Sequence, residues 1–206
     1  MSITGQPTQS VAGETITPSP AIQLLDGDSN PISGVNITAV LSSNSFSGTS
    51  TAIVPTDASG NAVFDDLAIE AANDGYTITF DADLVDVGNV TSNLFDVTPA
   101  AASAIELVSG NDSQTGEVNT QLTDPFVVRV VDDFGNAIAG EDVAFAVAAF
   151  PDGATGQALT SLTATSDANG EAQSTLTLGD TAGTYTVDAS FNGVIVSFTA
   201  EATNPI

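Results

Sequence analysis

The stretch DGDSNPISGV, residues 26–35, decides the fold, and the stretch DDFGNAIAG, residues 132–140, repeats it. Each stretch follows a short apolar run and precedes a run in which apolar and polar residues alternate. Acidic and amide residues beside glycine favour turns, and alternation with a period of two favours half-buried strands. The copies begin at positions 26 and 132, so they lie 106 residues apart, which is the size of a domain rather than of a solenoid repeat. The sequence therefore predicts two copies of one all-β unit.

Alternating runs around the turns predict the strands of each unit. Val, Ile, Thr and Phe dominate these runs, and Gly, Asn, Asp and Ser separate them, which is typical of an all-β sandwich. The predicted strands are residues 35–41, 62–69 and 75–83 in the first half and residues 126–131, 171–178 and 194–200 in the second half. The side chains predicted to face the first core are Val35, Ile37, Ala39, Leu41, Phe64, Leu67, Ile69, Tyr76, Ile78 and Phe80.

The charge balance excludes several classes of function. The 206 residues include 26 acidic side chains and a single basic one, Arg129, for a net charge of −25. Such a surface repels nucleic acid and anionic membranes. Histidine and cysteine are absent, which removes the commonest general base, the thiol nucleophile and any disulfide. We therefore predict a non-enzymatic protein with no nucleic-acid partner and, because no stretch reaches about 18 apolar residues, no direct membrane insertion.

The boundary between the two units is predicted at the stretch TPAAAS, residues 98–103. The first domain is then residues 1–98 and the second is residues 99–206. The link is short, with one proline and no glycine, so it restricts hinge motion. Two sandwiches joined in this way are expected to lie end to end.

Further motifs in the second half resemble those of a known domain family. The runs TSDANGEA, residues 165–172, and TAGTYTV, residues 181–187, together with the repeated aspartate turn, resemble bacterial immunoglobulin-like domains of the intimin and invasin group. The resemblance implies an all-β fold of two tandem immunoglobulin-like Greek-key β-sandwiches arranged end to end. Tyr76 and Tyr185 each lie just after a glycine that opens the penultimate strand, where this fold has a tyrosine whose hydroxyl bonds back to the main chain.

The same resemblance implies a function. Domains of this family serve as spacers, so we expect a structural spacer module of an extracellular bacterial surface protein, fibre or adhesin. The alternative hypothesis is a subunit of a self-assembling extracellular filament or surface layer, stabilised by calcium. The expected partners are neighbouring immunoglobulin-like domains or copies of the chain itself, with any host or cell-surface ligand bound through other modules. The start at Met1 carries no secretion signal, which favours a fragment of a longer extracellular or cell-surface protein.

The first aspartate turn is also the first candidate metal site. Asp26, Asp28 and Asn30 match the opening D-x-D-x-N of a calcium loop. Pro31 then stands where such a loop has its glycine, and Ile37 stands where it has its closing glutamate. The alternative interpretation is a turn in which the side-chain oxygens accept bonds from nearby backbone amides. An irregular Ca²⁺ site built from these carboxylates and main-chain carbonyls stays open at this stage.

The second copy of the turn offers a corresponding candidate. Asp132 and Asp133 take the places of the first acidic residues, and Phe134 replaces the next polar position. The turn interpretation is therefore stronger here than in the first copy. Bound Ca²⁺ would reduce repulsion between carboxylates in so acidic a chain.

Overall fold

The computed structural model describes residues 1–108, 110 and 112–205. The chain divides into two compact units, residues 1–100 and residues 101–206, which we call unit 1 and unit 2. This division falls two residues after the predicted boundary. The all-β class is confirmed, since the described residues form strands, turns and bends. No helix among them is long and apolar enough to cross a membrane.

Unit 1 is built from short strands that alternate between two layers. The strand β3 pairs with β1 and β6 in one layer, and β4 pairs with β5 and β8 in the other. In each layer one pairing joins strands that are distant in sequence, β3 with β6 and β4 with β8, as in a Greek key. The strands described in this unit are β1 Ser2–Gly5, β2 Ser10–Val11, β3 Ala21–Gln23, β4 Asn36–Leu41, β5 Ile53–Pro55, β6 Asn61–Val63, β7 Asn73–Tyr76, β8 Ile78–Ala82, β9 Val90–Thr91 and β10 Phe95–Thr98.

The core of unit 1 lies between these layers and contains the side chains predicted for it. Phe64 and Phe80 are fully buried, with ring centroids 5.2 Å apart. Aromatic pairs at this separation stabilise a core by about 1 kcal/mol beyond the area they bury. Val35 and Leu41, at the two ends of their run, are half-buried rather than fully buried.

One predicted strand of unit 1 is wrong in its extent. The strand expected over residues 62–69 ends at Val63 in β6, although Phe64, Leu67 and Ile69 are buried as predicted. Asp66 explains the difference, because its carboxylate accepts bonds from the backbone N–H of Thr51 at 2.8 Å and from its hydroxyl at 2.6 Å. The segment after β6 is therefore held by side-chain bonds and single bridges instead of a regular ladder.

Unit 2 repeats the two layers with longer strands. One layer has the order β11-β13-β17, and the other has the order β12-β20-β19-β14-β16. The predicted strand 126–131 is confirmed as β13, and the strand predicted over residues 171–178 is divided into β17 and β18. The strands described in this unit are β11 Ala104–Leu107, β12 Gln114–Glu117, β13 Phe126–Val131, β14 Asp142–Ala149, β15 Ala158–Leu159, β16 Thr163–Thr165, β17 Glu171–Ser174, β18 Leu176–Thr177, β19 Gly183–Phe191 and β20 Val194–Thr203.

A parallel pair of strands joins the beginning and the end of each unit. In unit 1, β2 pairs with β10 over two residue pairs, from Ser10 with Val97 to Val11 with Thr98. In unit 2, β12 pairs with β20 over four residue pairs. These pairs were not predicted from the sequence, because β2 and β12 are short and their partners lie more than 80 residues away.

The one basic side chain lies on the central strand of the smaller layer of unit 2. Arg129 pairs with Glu106 of β11 on one side and with Glu171 of β17 on the other. Its guanidinium forms an ion pair with the Glu106 carboxylate at 3.4 Å. Both neighbours on the strand, Val128 and Val130, are fully buried. The ion pair is exposed, so it contributes at most about 1 kcal/mol.

Candidate functional site

The first aspartate turn is closed by the carboxylate of Asp26. Its Oδ1 accepts bonds from the backbone N–H of Asp28 at 2.9 Å and of Asn30 at 2.8 Å. The Asn30 side-chain amide donates to Oδ2 at 3.0 Å. Ser29 adopts the left-handed region, with φ 67°, which lets the chain reverse. The acidic residue therefore serves the turn directly.

The second copy has the same geometry around Asp132. Oδ1 of Asp132 accepts from the backbone N–H of Phe134 at 2.9 Å and of Asn136 at 2.8 Å. The Asn136 side chain donates to Oδ2 at 2.8 Å. Asp132 is 3 % exposed, whereas Asp26 and Asp133 are exposed. Burial makes the bonds to Asp132 stronger and their loss more costly.

Each unit contains a second aspartate turn of the same kind. Asp57 accepts from the backbone N–H of Ser59 at 2.8 Å and of Asn61 at 2.9 Å. Asp167 accepts from the backbone N–H of Asn169 at 2.8 Å and of Glu171 at 3.0 Å. The turn at residues 57–61 thus has the same bonding pattern as the turn at residues 26–30. In unit 2, the turn at residues 167–171 has the same bonding pattern as the turn at residues 132–136.

The two turns of unit 1 interlock through the end of β3. The backbone N–H of Leu24 donates to the carbonyl of Gly60 at 2.8 Å, and the N–H of Ile32 donates to the carbonyl of Leu24 at 3.1 Å. Gly60 lies so close to Leu24 that a Cβ atom on Gly60 would be 2.4 Å from the Leu24 carbonyl oxygen. We call this arrangement the paired-turn corner.

Unit 2 has the same paired-turn corner. Val130 donates to Gly170 at 2.8 Å, and Ile138 donates to Val130 at 3.0 Å. A Cβ atom on Gly170 would lie 2.8 Å from the Val130 carbonyl oxygen. The same hydrogen bonds and the same close glycine contact occur in both units. The two aspartate turns of each unit therefore form one structural element.

A buried hydroxyl closes the corner in each unit. Thr56 Oγ1 accepts from the backbone N–H of Val35 at 3.0 Å, and Ser166 Oγ accepts from the N–H of Glu141 at 3.0 Å. Thr56 is 4 % exposed and Ser166 is 5 % exposed. Each buried hydroxyl therefore has a hydrogen-bond partner and ties the chain after the first turn to the residue before the second.

The electrostatics of the corner come from hydrogen bonds rather than from ion pairs. Bonds from the side chain and then the backbone of Asn30 hold the pKa of Asp26 below its ordinary value. Elsewhere, the backbone N–H of Thr199 does the same for the pKa of Asp112. Hydrogen bonds to the charged form favour ionisation, so both carboxylates stay ionised at neutral pH.

The structure brings together some of the predicted metal ligands but not as a ligand cluster. Within the described residues, no group of three or more His, Cys, Asp or Glu side chains is arranged to hold a metal ion. The side chains of Asp26 and Asn30 meet, yet Asn30 presents its amide nitrogen to the carboxylate. Calcium prefers oxygen ligands, so a joint site would require this amide to turn over.

Calcium at the Asp26 turn therefore stays a prediction. If the ion binds, adding CaCl₂ raises the melting temperature in low salt, because the ion neutralises neighbouring carboxylates. The change Asp28→Ala removes one candidate ligand without disturbing the carboxylate that closes the turn, so it reduces that rise. Differential scanning calorimetry with CaCl₂ and with EDTA measures both effects. A melting temperature that is the same in the two solutions contradicts calcium binding.

A buried tyrosine in each unit anchors the opposite end of the sandwich. The hydroxyl of Tyr76 donates to the carbonyl of Ala71 at 3.0 Å, and the hydroxyl of Tyr185 donates to the carbonyl of Thr181 at 2.8 Å. Both tyrosines are fully buried. The prediction of a tyrosine corner is therefore confirmed in both units.

Comparison with known proteins identifies the fold but not the family. No family model matches the chain, and no curated protein matches it in sequence. Among solved structures, the Escherichia coli adhesin FdeC is 18% identical over 98% of this chain and 61% of its own, with a TM-score of 0.50. The Yersinia pseudotuberculosis adhesin InvE is 13% identical over 98% of this chain and 57% of its own, with a TM-score of 0.42.

The similarity to FdeC, together with the two-layered sheets, confirms the immunoglobulin-like tandem fold. The chain spans less than two thirds of the length of the FdeC and InvE chains that it matches. Sequence identity at this level shows that the folds are alike. It does not show that this chain binds what those adhesins bind. The function of this chain has to be argued from its own geometry.

Proposed function

We propose that the chain is a non-enzymatic structural spacer from an extracellular bacterial surface protein, fibre or adhesin. The observation that carries the proposal is the parallel pairing of the terminal strands in each unit, β2 with β10 and β12 with β20. A spacer holds a distant module at a fixed length, so it has to withstand a pull along its chain. Its surface charge of −25 supports solubility outside the cell.

Parallel pairing of the terminal strands suits a load along the chain. When the two ends of a unit are pulled apart, parallel neighbours slide past each other along their length. The hydrogen bonds between them are then loaded together instead of one after another. The paired-turn corner lies outside this contact and holds the layers in register. Unit 2, with four parallel pairs, is expected to resist more than unit 1, with two.

Single-molecule force spectroscopy on the chain, held at its two termini, tests the proposal. We expect two unfolding events, with unit 2 unfolding at the higher force. The change Val118→Pro removes the N–H that donates to the Thr203 carbonyl at 2.9 Å, so it lowers the higher of the two forces.

Glu117→Pro is the matched control. The N–H groups of a strand alternate in direction, so the N–H of Glu117 points away from β20 and its loss leaves the contact intact. The proposal fails if both units unfold at a low force that Val118→Pro leaves unchanged.

A further inference from the structure

We propose that Asn192 is a modification site, at which the side-chain amide is lost by spontaneous deamidation, and that the fold protects Asn169 from the same reaction. The sequence contains two asparagines that are followed by glycine, in the pairs Asn169-Gly170 and Asn192-Gly193. This pair is chemically labile, because glycine has no side chain to hinder attack by its own backbone nitrogen. The proposal is independent of the mechanical role proposed above.

The reaction joins the backbone nitrogen of Gly193 to the side chain of Asn192. The nitrogen attacks Cγ of Asn192, the bond from Cγ to Nδ2 breaks, and ammonia leaves with the proton of the glycine N–H. Water then opens the resulting cyclic imide at either of its two carbonyls, which gives aspartate or isoaspartate. The reaction consumes only water, so it proceeds without an enzyme, a metal or an oxidant.

Asn192 and Gly193 form an exposed turn between two long strands of unit 2. The strand β19 ends at Phe191 and β20 begins at Val194, so the turn has two residues. Their φ angles are 48° and 83°, which fit the type I′ turn that asparagine and glycine favour in hairpins. Both residues are exposed, so water reaches the reacting groups.

The backbone at Gly193 has room for the movement that the attack requires. The peptide between the two residues has to rotate until the glycine nitrogen faces Cγ of Asn192. Among the described residues, no atom lies within 4 Å of the position of a Cβ on Gly193, and the N–H of Gly193 has no acceptor. Nδ2 of Asn192 donates to the carbonyl of Ala102 at 3.5 Å, and so long a bond restrains the side chain only weakly.

Asn169 is followed by a glycine that the fold holds in place. The N–H of Gly170 donates to the Asp167 carbonyl at 2.9 Å, and the N–H of Asn169 donates to Asp167 Oδ1 at 2.8 Å. Gly170 is buried in the paired-turn corner, where a Cβ atom would lie 2.8 Å from the Val130 carbonyl oxygen. The attacking nitrogen is therefore hydrogen-bonded, and its peptide has no room to rotate.

Deamidation of Asn192 changes both the charge and the backbone of unit 2. The new carboxylate cannot donate to the Ala102 carbonyl, and it adds a negative charge to a chain whose net charge is already −25. The isoaspartate product also lengthens the main chain by one carbon, within a turn whose type I′ geometry fits two residues. The modified chain is therefore separable from the original chain by anion-exchange chromatography.

Incubation of the folded chain in mildly alkaline buffer, followed by digestion and mass spectrometry, tests the proposal. A peptidase that cuts after glutamate releases residues 142–171 and residues 172–201, and each peptide contains a single asparagine, Asn169 or Asn192. We expect peptide 172–201 to gain the mass difference between an amide and a carboxylate. Peptide 142–171 is expected to react at least about tenfold more slowly, because its buried hydrogen bond has to break first. A sample digested without incubation corrects for deamidation during digestion.

Incubation in urea separates the effect of the fold from that of the local sequence. The paired-turn corner is open in the unfolded chain, so we expect both peptides to react at similar rates there. Asn192→Gln is the control at the reactive position, because the longer side chain would have to form a larger ring and therefore reacts much more slowly. Equal rates in the folded chain overturn the proposal, and so does a peptide 172–201 that stays unmodified. If Asn169 is still the slower residue in urea, the local sequence sets the difference, and protection by the fold is overturned.

Discussion

Replacing Gly60 with alanine is expected to destabilise unit 1 by about 3 kcal/mol, because the new Cβ meets both backbone strain and a clash. The residue has φ 75°, and its Cβ would lie 2.4 Å from the Leu24 carbonyl oxygen. Leu24 cannot retreat easily, since its own N–H is bonded to the Gly60 carbonyl. Hydrogen exchange followed by mass spectrometry measures the loss in unit 1 separately from unit 2.

Gly34 supplies a control that separates strain from clash. Its φ is 77°, nearly that of Gly60, but a Cβ there would meet no atom within 4 Å. Gly34→Ala is therefore expected to cost about 1 kcal/mol, which is the strain alone. Gly170 and Gly140 offer the same comparison in unit 2. Equal losses at Gly60 and Gly34 would show that the paired-turn corner tolerates a side chain between its turns.

Asp132→Ala is expected to destabilise unit 2 by about 3 kcal/mol. The change leaves the N–H groups of Phe134 and Asn136 without the acceptor that they share at a position that is 3 % exposed. Asp132→Asn keeps an acceptor oxygen at that place, so it is expected to cost less. Urea unfolding followed by circular dichroism gives the ranking.

Asp133→Ala is the neighbouring control. This residue is exposed, and its side chain does not close the turn, so its loss is expected to change stability by less than about 0.5 kcal/mol. If Asp132 and Asp133 proved equally dispensable, the carboxylate of Asp132 would not be closing the turn in solution.

Local signals explain why the aspartate turns could be predicted. Asp26 and Asp132 each precede a glycine and an asparagine within four positions, between apolar runs, and the turn chemistry of these residues acts over such short distances. The buried side chains of β4 and β8 follow the same short-range rule, since alternation alone places Ile37 and Phe80 inward.

Non-local contacts explain what could not be predicted. The interlocking of Leu24 with Gly60 joins turns that are separate in sequence, and only folding brings them together. The parallel strand β12 is four residues long and contains Gly116, so its own sequence favours no strand. The irregular segment after β6 depends on a bond from Thr51 to Asp66, which no periodic pattern reveals.

The position of Arg129 has a consequence for proteolysis. A protease that cuts only after lysine or arginine meets one site within these 206 residues. That site lies inside β13, bonded to strands on both sides and flanked by buried valines. Cleavage requires the strand to leave its sheet, so the chain becomes a substrate for such an enzyme only when unit 2 opens. A chain with this single basic residue therefore resists cleavage by trypsin-like enzymes for as long as β13 stays in its sheet.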